Sequence, residues 1–453
     1  MSAVAEVRSD LGELLEVERR RFAASHPGSM AFREAARRSM LSGVPMNWMT
    51  RWASPAPLVV SAAAGAELED IDGHRYVDFC LGDTGAMAGH APAPVVEAVS
   101  RQMRRGATYM LPTEDAIWVA EEMARRFGLP RWQFCLTATD ANRFVMRLAR
   151  QVTGRPLVLV HNWCYHGTVD ETFAALDRSG RVVAREGLVG PPVPVAETTR
   201  VVEINDLEAL AAALADRQVA CVLVEPALTN IGIVLPDPGY HEELRRITRQ
   251  TGTLLVIDET HTICAGPGGY TAAYGLEPDF LTIGKTIGAG VPVAAYGMTA
   301  AVEELILEST FWRQADAGGI GGTLAGNALS MAATRATLQD VLTTEAFAHM
   351  ESLGRRLADG VEEVIARRLA PWHVTRLGCR AEYLFGPDRP RNGAEAATAG
   401  DPALDDFVHL AMMNRGVVLT PFHNMALMSP ATTAAHVDAH TAAFDEIADL
   451  LVG

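Results

Sequence analysis

Lysine is almost absent from this chain. Of the 39 Lys and Arg residues among 453, one is lysine, Lys285. A coding bias toward arginine and alanine accounts for the missing lysines but not for the one retained. Arginine replaces lysine wherever a surface charge suffices. It cannot replace a primary amine that must lose its proton and attack a carbonyl. Lys285 is therefore a candidate nucleophile before any motif is consulted. Cysteine is also sparse: Cys80, Cys135, Cys164, Cys221, Cys264 and Cys379 stand singly, with no C-x-x-C pair. That argues against a zinc site or a disulfide framework, so the expectation is a reduced, cytoplasmic protein that uses no metal. No apolar run approaches the length of a membrane span, and the N-terminus mixes acids and arginines from Glu6 onward. Neither a membrane partner nor a secretory signal is expected. Positive charge is in deficit, at a formal net −16. Nucleic-acid binding needs the opposite balance.

What is present is an alternation of short apolar runs and helical periods. The runs are WQFCL, PLVLVH (156–161), RVVEI (200–204), ACVLVEP (220–226), TLLVID (253–258), DFLTIG (279–284) and VAAYG (293–297). Several lack polar alternation, as strands buried on both faces do. Helical segments at 138–152, 206–216 and 239–251 fall between them. This pattern predicts an α/β fold with a mostly parallel sheet flanked by helices. Residues 9–41 read as helical, and an Asp-Gly turn at Asp72-Gly73 follows two short strands. After Gly326 the pattern gives helices at about 327–341, 344–368, 402–415 and 434–452. The expected organisation is an N-terminal segment (1–80) that contributes to a small domain and a substrate mouth. A large cofactor-binding domain (81–326) follows, then a connecting helix and smaller C-terminal α+β domain (327–453).

In open α/β sheets, ligands sit beyond the carboxyl ends of the strands. Glu225, Asp258 and Lys285 all fall there. A carboxylate and an amine so placed are the pair that pyridoxal 5'-phosphate (PLP) needs. The amine forms an imine with the cofactor aldehyde, and the carboxylate keeps the pyridine nitrogen protonated. The phosphate needs a cradle, and CLTATDANRFVMRLAR (135–150) runs from a strand through small polar residues into a helix. Free N–H groups at such a helix start bind phosphate. The competing nucleotide-binding reading of Gly284-Lys285-Thr286 fails, because the first glycine of that motif would fall at Asp279.

Seven stretches in one order carry a resemblance: DIDGHRYVDF (70–79), TATDAN (137–142), CYHG (164–167), EPALTNIG (225–232), DETHT (258–262), DFLTIGKTIGAGVPVAAYG (279–297) and GGTLAGN (321–327). From about residue 40 to its end the chain resembles class III aminotransferases of the fold-type I PLP enzymes. It looks closest to the branch of glutamate-1-semialdehyde aminomutase and related amine transaminases. The resemblance implies that Lys285 is the Schiff-base lysine and Asp258 the partner of the ring nitrogen. It implies that Tyr165 stacks on the ring, Asn230 bonds the ring hydroxyl, and Ala138 and Thr139 meet the phosphate. Thr323 would reach the phosphate from a neighbouring subunit, which implies a homodimer with its active site at the subunit interface. Three positions depart from the family. Thr260 stands for a valine against the ring, and Ala138 stands for a glycine. His261 matches poorly; a histidine there can relay protons, although a structural hydrogen bond is the commoner use.

The resemblance weakens at the substrate. Where the aminomutase carries a carboxylate-binding arginine this chain has Met49, with Arg51 two residues on. Where it carries a glutamate, this chain has Met425. Met46, Trp48, Met49, Trp52, Phe422 and Met425 suggest an apolar mouth. The expectation is a ping-pong aminotransferase. It would move an amino group between a primary amine, hydrophobic or an ω- or β-amino acid, and a keto acid such as pyruvate. Arg51 or Arg313 would hold the keto acid's carboxylate. The alternative is glutamate-1-semialdehyde 2,1-aminomutase or another PLP aminomutase or racemase.

Overall fold

The computed structural model describes residues 10–190, 194–309 and 318–452. Arg313 lies outside them. The chain divides into two compact units. One holds the chain up to Pro92, Glu345–Arg389 and the chain from Ala399; the other holds Ala93–Thr344 and Pro390–Thr398. The sequence pattern placed the corresponding divisions at residues 80 and 326. Among the described residues, no helix is long and apolar enough to cross a membrane.

The unit spanning Ala93–Thr344 is built on a seven-stranded sheet. Its order is Arg131–Cys135, Ala294–Met298, Phe280–Ile283, Leu254–Asp258, Val219–Val224, Leu157–His161, Thr199–Val202. Every apolar run singled out in the sequence has become one of these strands. Ala294–Met298 alone runs against its two neighbours. The other pairings are parallel. All six residues of Val219–Val224 are buried. This explains its unbroken apolar sequence: it sits mid-sheet with helices over both faces. Helix Ala138–Thr153 starts at Thr137, whose Oγ1 accepts from the Asp140 N–H, and ends at Gly154 in the left-handed conformation. Its apolar face, including Ala141, Phe144, Val145 and Leu148, packs into the strand core.

In the other unit, Val60–Ala64, Glu67–Asp70 and Arg75–Asp78 form an antiparallel meander, joined in parallel by Val417–Val418. A separate antiparallel sheet contains His373–Leu377, Arg380–Leu384 and Met425–Leu427. The N-terminal stretch expected as helix is two helices, Leu11–Ser25 and Pro27–Ala36. The break comes at Pro27, which lacks the N–H needed to continue the first helix but suits the first turn of the second.

His26, Asp70 and His74 are the one group with metal-ligand spacing among the described residues. Their atoms are already engaged: His26 Nε2 lies 2.6 Å from Tyr76 Oη and His26 Nδ1 2.9 Å from the Phe22 carbonyl. Asp70 Oδ2 accepts from Tyr76 Oη at 2.9 Å and lies 3.0 Å from His74 Nδ1, and Asp70 Oδ1 accepts the Asp72 and His74 N–H groups. Asp70 therefore fastens the meander's turn.

Candidate active site

Three loops leaving the carboxyl end of the large sheet meet the first turn of helix Ala138–Thr153. Asp258 closes its strand and is buried. Lys285 opens the short 3₁₀ turn Lys285–Gly288, just beyond the neighbouring strand Phe280–Ile283. Parallel register sets Asp258 beside Thr282. Asn142, from the helix, ties the two strands together. Its Nδ2 donates to Asp258 Oδ2 at 2.8 Å, and its Oδ1 accepts from Thr282 Oγ1 at 2.6 Å.

Asp258 is held as an anion. Oδ2 also lies 2.9 Å from His166 Nδ1, and Oδ1 accepts the Thr260 N–H at 3.1 Å. Burial alone would raise the Asp258 carboxyl. The hydrogen bond and charge of His166, aided by Thr260 and Asn142, outweigh it and keep the group below its ordinary range. Burial alone would lower the His166 imidazole, but the adjacent Cys164 and Asp258 outweigh that and raise it. The result is an ion pair with further hydrogen-bond donors, the arrangement in which a buried carboxylate keeps its charge. A carboxylate accepts about four hydrogen bonds. Asp258 uses three, which leaves capacity for one ring N–H.

Lys285 adopts φ 53, a left-handed conformation costly for a residue with a Cβ. Such strain concentrates where a side chain must be aimed. Its Nζ lies 2.8 Å from His261 Nε2. Gly284 precedes it, and a Cβ there would lie 3.2 Å from the Ala138 nitrogen and 3.1 Å from its Cβ. The Ala138 methyl thus fits because residue 284 has none. The first turn of the helix leaves the Ala138 and Thr139 N–H groups without intrahelical acceptors. Thr139 Oγ1 accepts the Thr168 N–H at 3.0 Å.

Gly167 makes that close approach possible. It sits at φ +74, and a Cβ there would collide with Thr139 Oγ1. Gly167→Ala is expected to lower stability by about 3 kcal/mol, from left-handed strain plus overpacking. A fall in the denaturation midpoint measures this; an unchanged midpoint would mean that the Gly167 loop and the helix start at Thr139 do not touch.

The remaining candidates are distributed as follows. Tyr165 is partly exposed; its N–H donates to buried Glu225 at 3.3 Å, and its ring meets Phe173 edge-on. Asn230 is half-buried in the loop beyond the Glu225 strand, and Thr260 is buried beside Asp258. Thr323 is exposed in the turn before helix Ala328–Ala336. Met46, Trp48, Met49, Arg51 and Met425 belong to the other unit. There Trp48 meets Phe422 edge-on at 6.5 Å. Arg51 and Phe422 line one cavity of about 760 Å³ with Arg19, Arg33 and Asp405. Met46, Trp48 and Arg51 are exposed, but Met425 is wholly buried in the strand Met425–Leu427. Sequence reasoning quoted Asn142 and His166 without assigning them. Their signal was membership of the TATDAN and CYHG stretches.

This donor set fits PLP. It offers a primary amine, a carboxylate kept ionised with a vacant lone pair, and a helix N-terminus narrowed by Gly167 and Gly284. Similarity to known proteins agrees. A family model described as Aminotransferase class-III matches residues 48–451. A glutamate-1-semialdehyde 2,1-aminomutase from Chloroflexus aggregans is 35% identical over 408 residues, covering 86% of this chain and 90% of that protein. The crystal structure of a glutamate-1-semialdehyde-aminomutase from Pseudomonas aeruginosa PAO1 is 49% identical with a TM-score of 0.95, over 97% of this chain and 98% of that one. A variant of it is described in complex with PMP. An omega-transaminase from Sphaerobacter thermophilus is 29% identical with a TM-score of 0.85, over 94% of this chain and 99% of that one. The chain belongs to the class III aminotransferases, PLP-dependent enzymes of fold-type I.

Proposed function

We propose that this enzyme moves an amino group within one small substrate, as an aminomutase acting on an α-amino aldehyde of the glutamate-1-semialdehyde kind. The observation that carries this reading is end-to-end likeness to proteins of that description, at 49% identity for one and 35% for another. It reverses the order of the sequence-based expectation, which put intermolecular transfer to a keto acid first.

In this reading Lys285 holds the cofactor covalently through Nζ. With the cofactor bound, the same amine, once released, would act as the base that takes the proton from the substrate carbon bearing nitrogen and as the acid that returns it on the far side of the carbon–nitrogen linkage. When bound, PLP supplies an aldehyde that captures amines and a ring that takes up the electrons released at carbon. Asp258 holds the proton on the ring nitrogen, with Asn142 and His166 fixing its carboxylate. The Ala138 and Thr139 N–H groups would bind the phosphate, Tyr165 and Thr260 would pack against the ring and Asn230 would bond its hydroxyl. Thr323 reaches the phosphate of a second copy, so the working form is a homodimer.

A second reading has its own support. Met49 and Met425 stand where the aminomutase carries arginine and glutamate, and exposed Met46 and Trp48 suit a hydrophobic amine. In that reading Arg51 holds the keto acid's carboxylate. Supplying glutamate-1-semialdehyde alone decides between them. Conversion to the isomer with nitrogen moved from carbon 2 to carbon 1, with no second substrate, is the expected result. No conversion, together with alanine formation from pyruvate and an aryl-alkyl amine, would select the second reading.

A further inference from the structure

His261 stands three residues beyond Asp258, at the start of the 3₁₀ turn Thr262–Ala265. It is half-buried, as is Lys285. Its Nε2 is 2.8 Å from Lys285 Nζ. A cation has no reason to sit against another cation, so the contact has meaning only if one partner gives up its charge. Imidazole is the side chain that can accept and return a proton near neutral pH. The chain otherwise uses arginine for positive charge, and arginine cannot exchange a proton in this way.

We propose that His261 is a catalytic proton partner of the Lys285 amine. This inference rests on Lys285 being the cofactor-binding lysine. The step is a single proton transfer. An Nζ–H bond of the ammonium breaks and its electron pair stays on Nζ. The Nε2 lone pair forms a new N–H bond, Nδ1 keeps its own proton, and the charge moves to the imidazolium. The amine is then neutral and can attack a carbonyl carbon. The reverse transfer restores the ammonium when Nζ must deliver a proton. No oxidant or second reactant is needed. A glutamine or methionine at 261 could pack in the same place but could not store the proton.

The test follows capture of the cofactor rather than turnover. Full-length apoprotein is mixed with saturating PLP, and the first-order rise of visible absorption is recorded. Borohydride is then added, and the labelled peptide is mapped. With His261→Gln, capture is expected to slow about 100-fold, the lower range of general acid–base contributions. With His261→Ala, capture slows similarly and added imidazole restores it, more basic imidazoles restoring it further. The label stays on Lys285 in wild type and both variants, which also reports an intact cofactor pocket. Capture within twofold of wild type in both variants would overturn the proposal while leaving Lys285 in its role. So would slowing of the alanine variant that imidazole leaves unchanged, since a purely structural histidine behaves that way. A wild-type protein labelled elsewhere than Lys285 would remove the underlying reading and this inference with it.

Discussion

Lys285→Ala is expected to lower turnover by at least about 10⁴-fold, because in the proposed mechanism one substitution removes both the covalent anchor and the base. Lys285→Arg should fall as far. A guanidinium keeps the positive charge but neither loses its proton nor attacks a carbonyl. The pair of variants separates charge from nucleophilicity, which the alanine variant alone does not. PLP should still bind both, reversibly, because the Ala138–Thr139 turn and Asp258 do not depend on the amine. Folding should be unaffected: the left-handed backbone at residue 285 is a local cost that these substitutions leave in place. Borohydride should fix PLP in wild type and in neither variant. Turnover of the arginine variant within tenfold of wild type would show that residue 285 is a positive charge and nothing more.

The lone lysine was legible because its rarity made it conspicuous. The strands were legible for a different reason. Val219–Val224 and Leu254–Asp258 are buried on both faces, so their sequences are continuous apolar runs and cannot be mistaken for surface helix. Asp258 and Lys285 were singled out by their place at the ends of such runs, the lysine also by its rarity. The grip on Asp258 could not be read this way. Asn142 lies 116 residues before Asp258 and His166 lies 92 before it. No local period records that a helix turn, a loop and a strand end converge. Met425 was ambiguous in a different way. An apolar residue in a short irregular-looking segment reads equally well as pocket lining or as core, and only the pairing of Glu382 with Met425 puts it in a strand. The break at Pro27 was written in the sequence, but a single proline inside a strong helical pattern can kink a helix, end it or begin the next one. His261 was visible as an anomaly, yet its partner became evident only when the two loops were brought together.

Asp258→Asn is the second large effect expected, a loss of about 10³-fold in turnover. The amide is nearly the same shape and can still meet Asn142 and His166, so the pocket should persist. It carries no charge, however, and cannot hold a proton on a pyridine nitrogen. Three powers of ten correspond to about 4 kcal/mol, the scale of two close charges at the effective dielectric of a protein site. His166 should respond as well. Its imidazole is held above the ordinary range partly by the Asp258 carboxylate, and burial opposes that. With the carboxylate gone, burial weighs more heavily and the imidazole moves down. Asp258→Glu makes the complementary test, since it keeps the charge but moves the oxygens away from Asn142 and His166. If charge dominates, the glutamate variant retains far more turnover than the asparagine variant while binding PLP less tightly. If the hydrogen-bonded geometry dominates, the order reverses. An asparagine variant within tenfold of wild type would mean that the ring nitrogen needs no proton here and that the buried ion pair serves the fold alone.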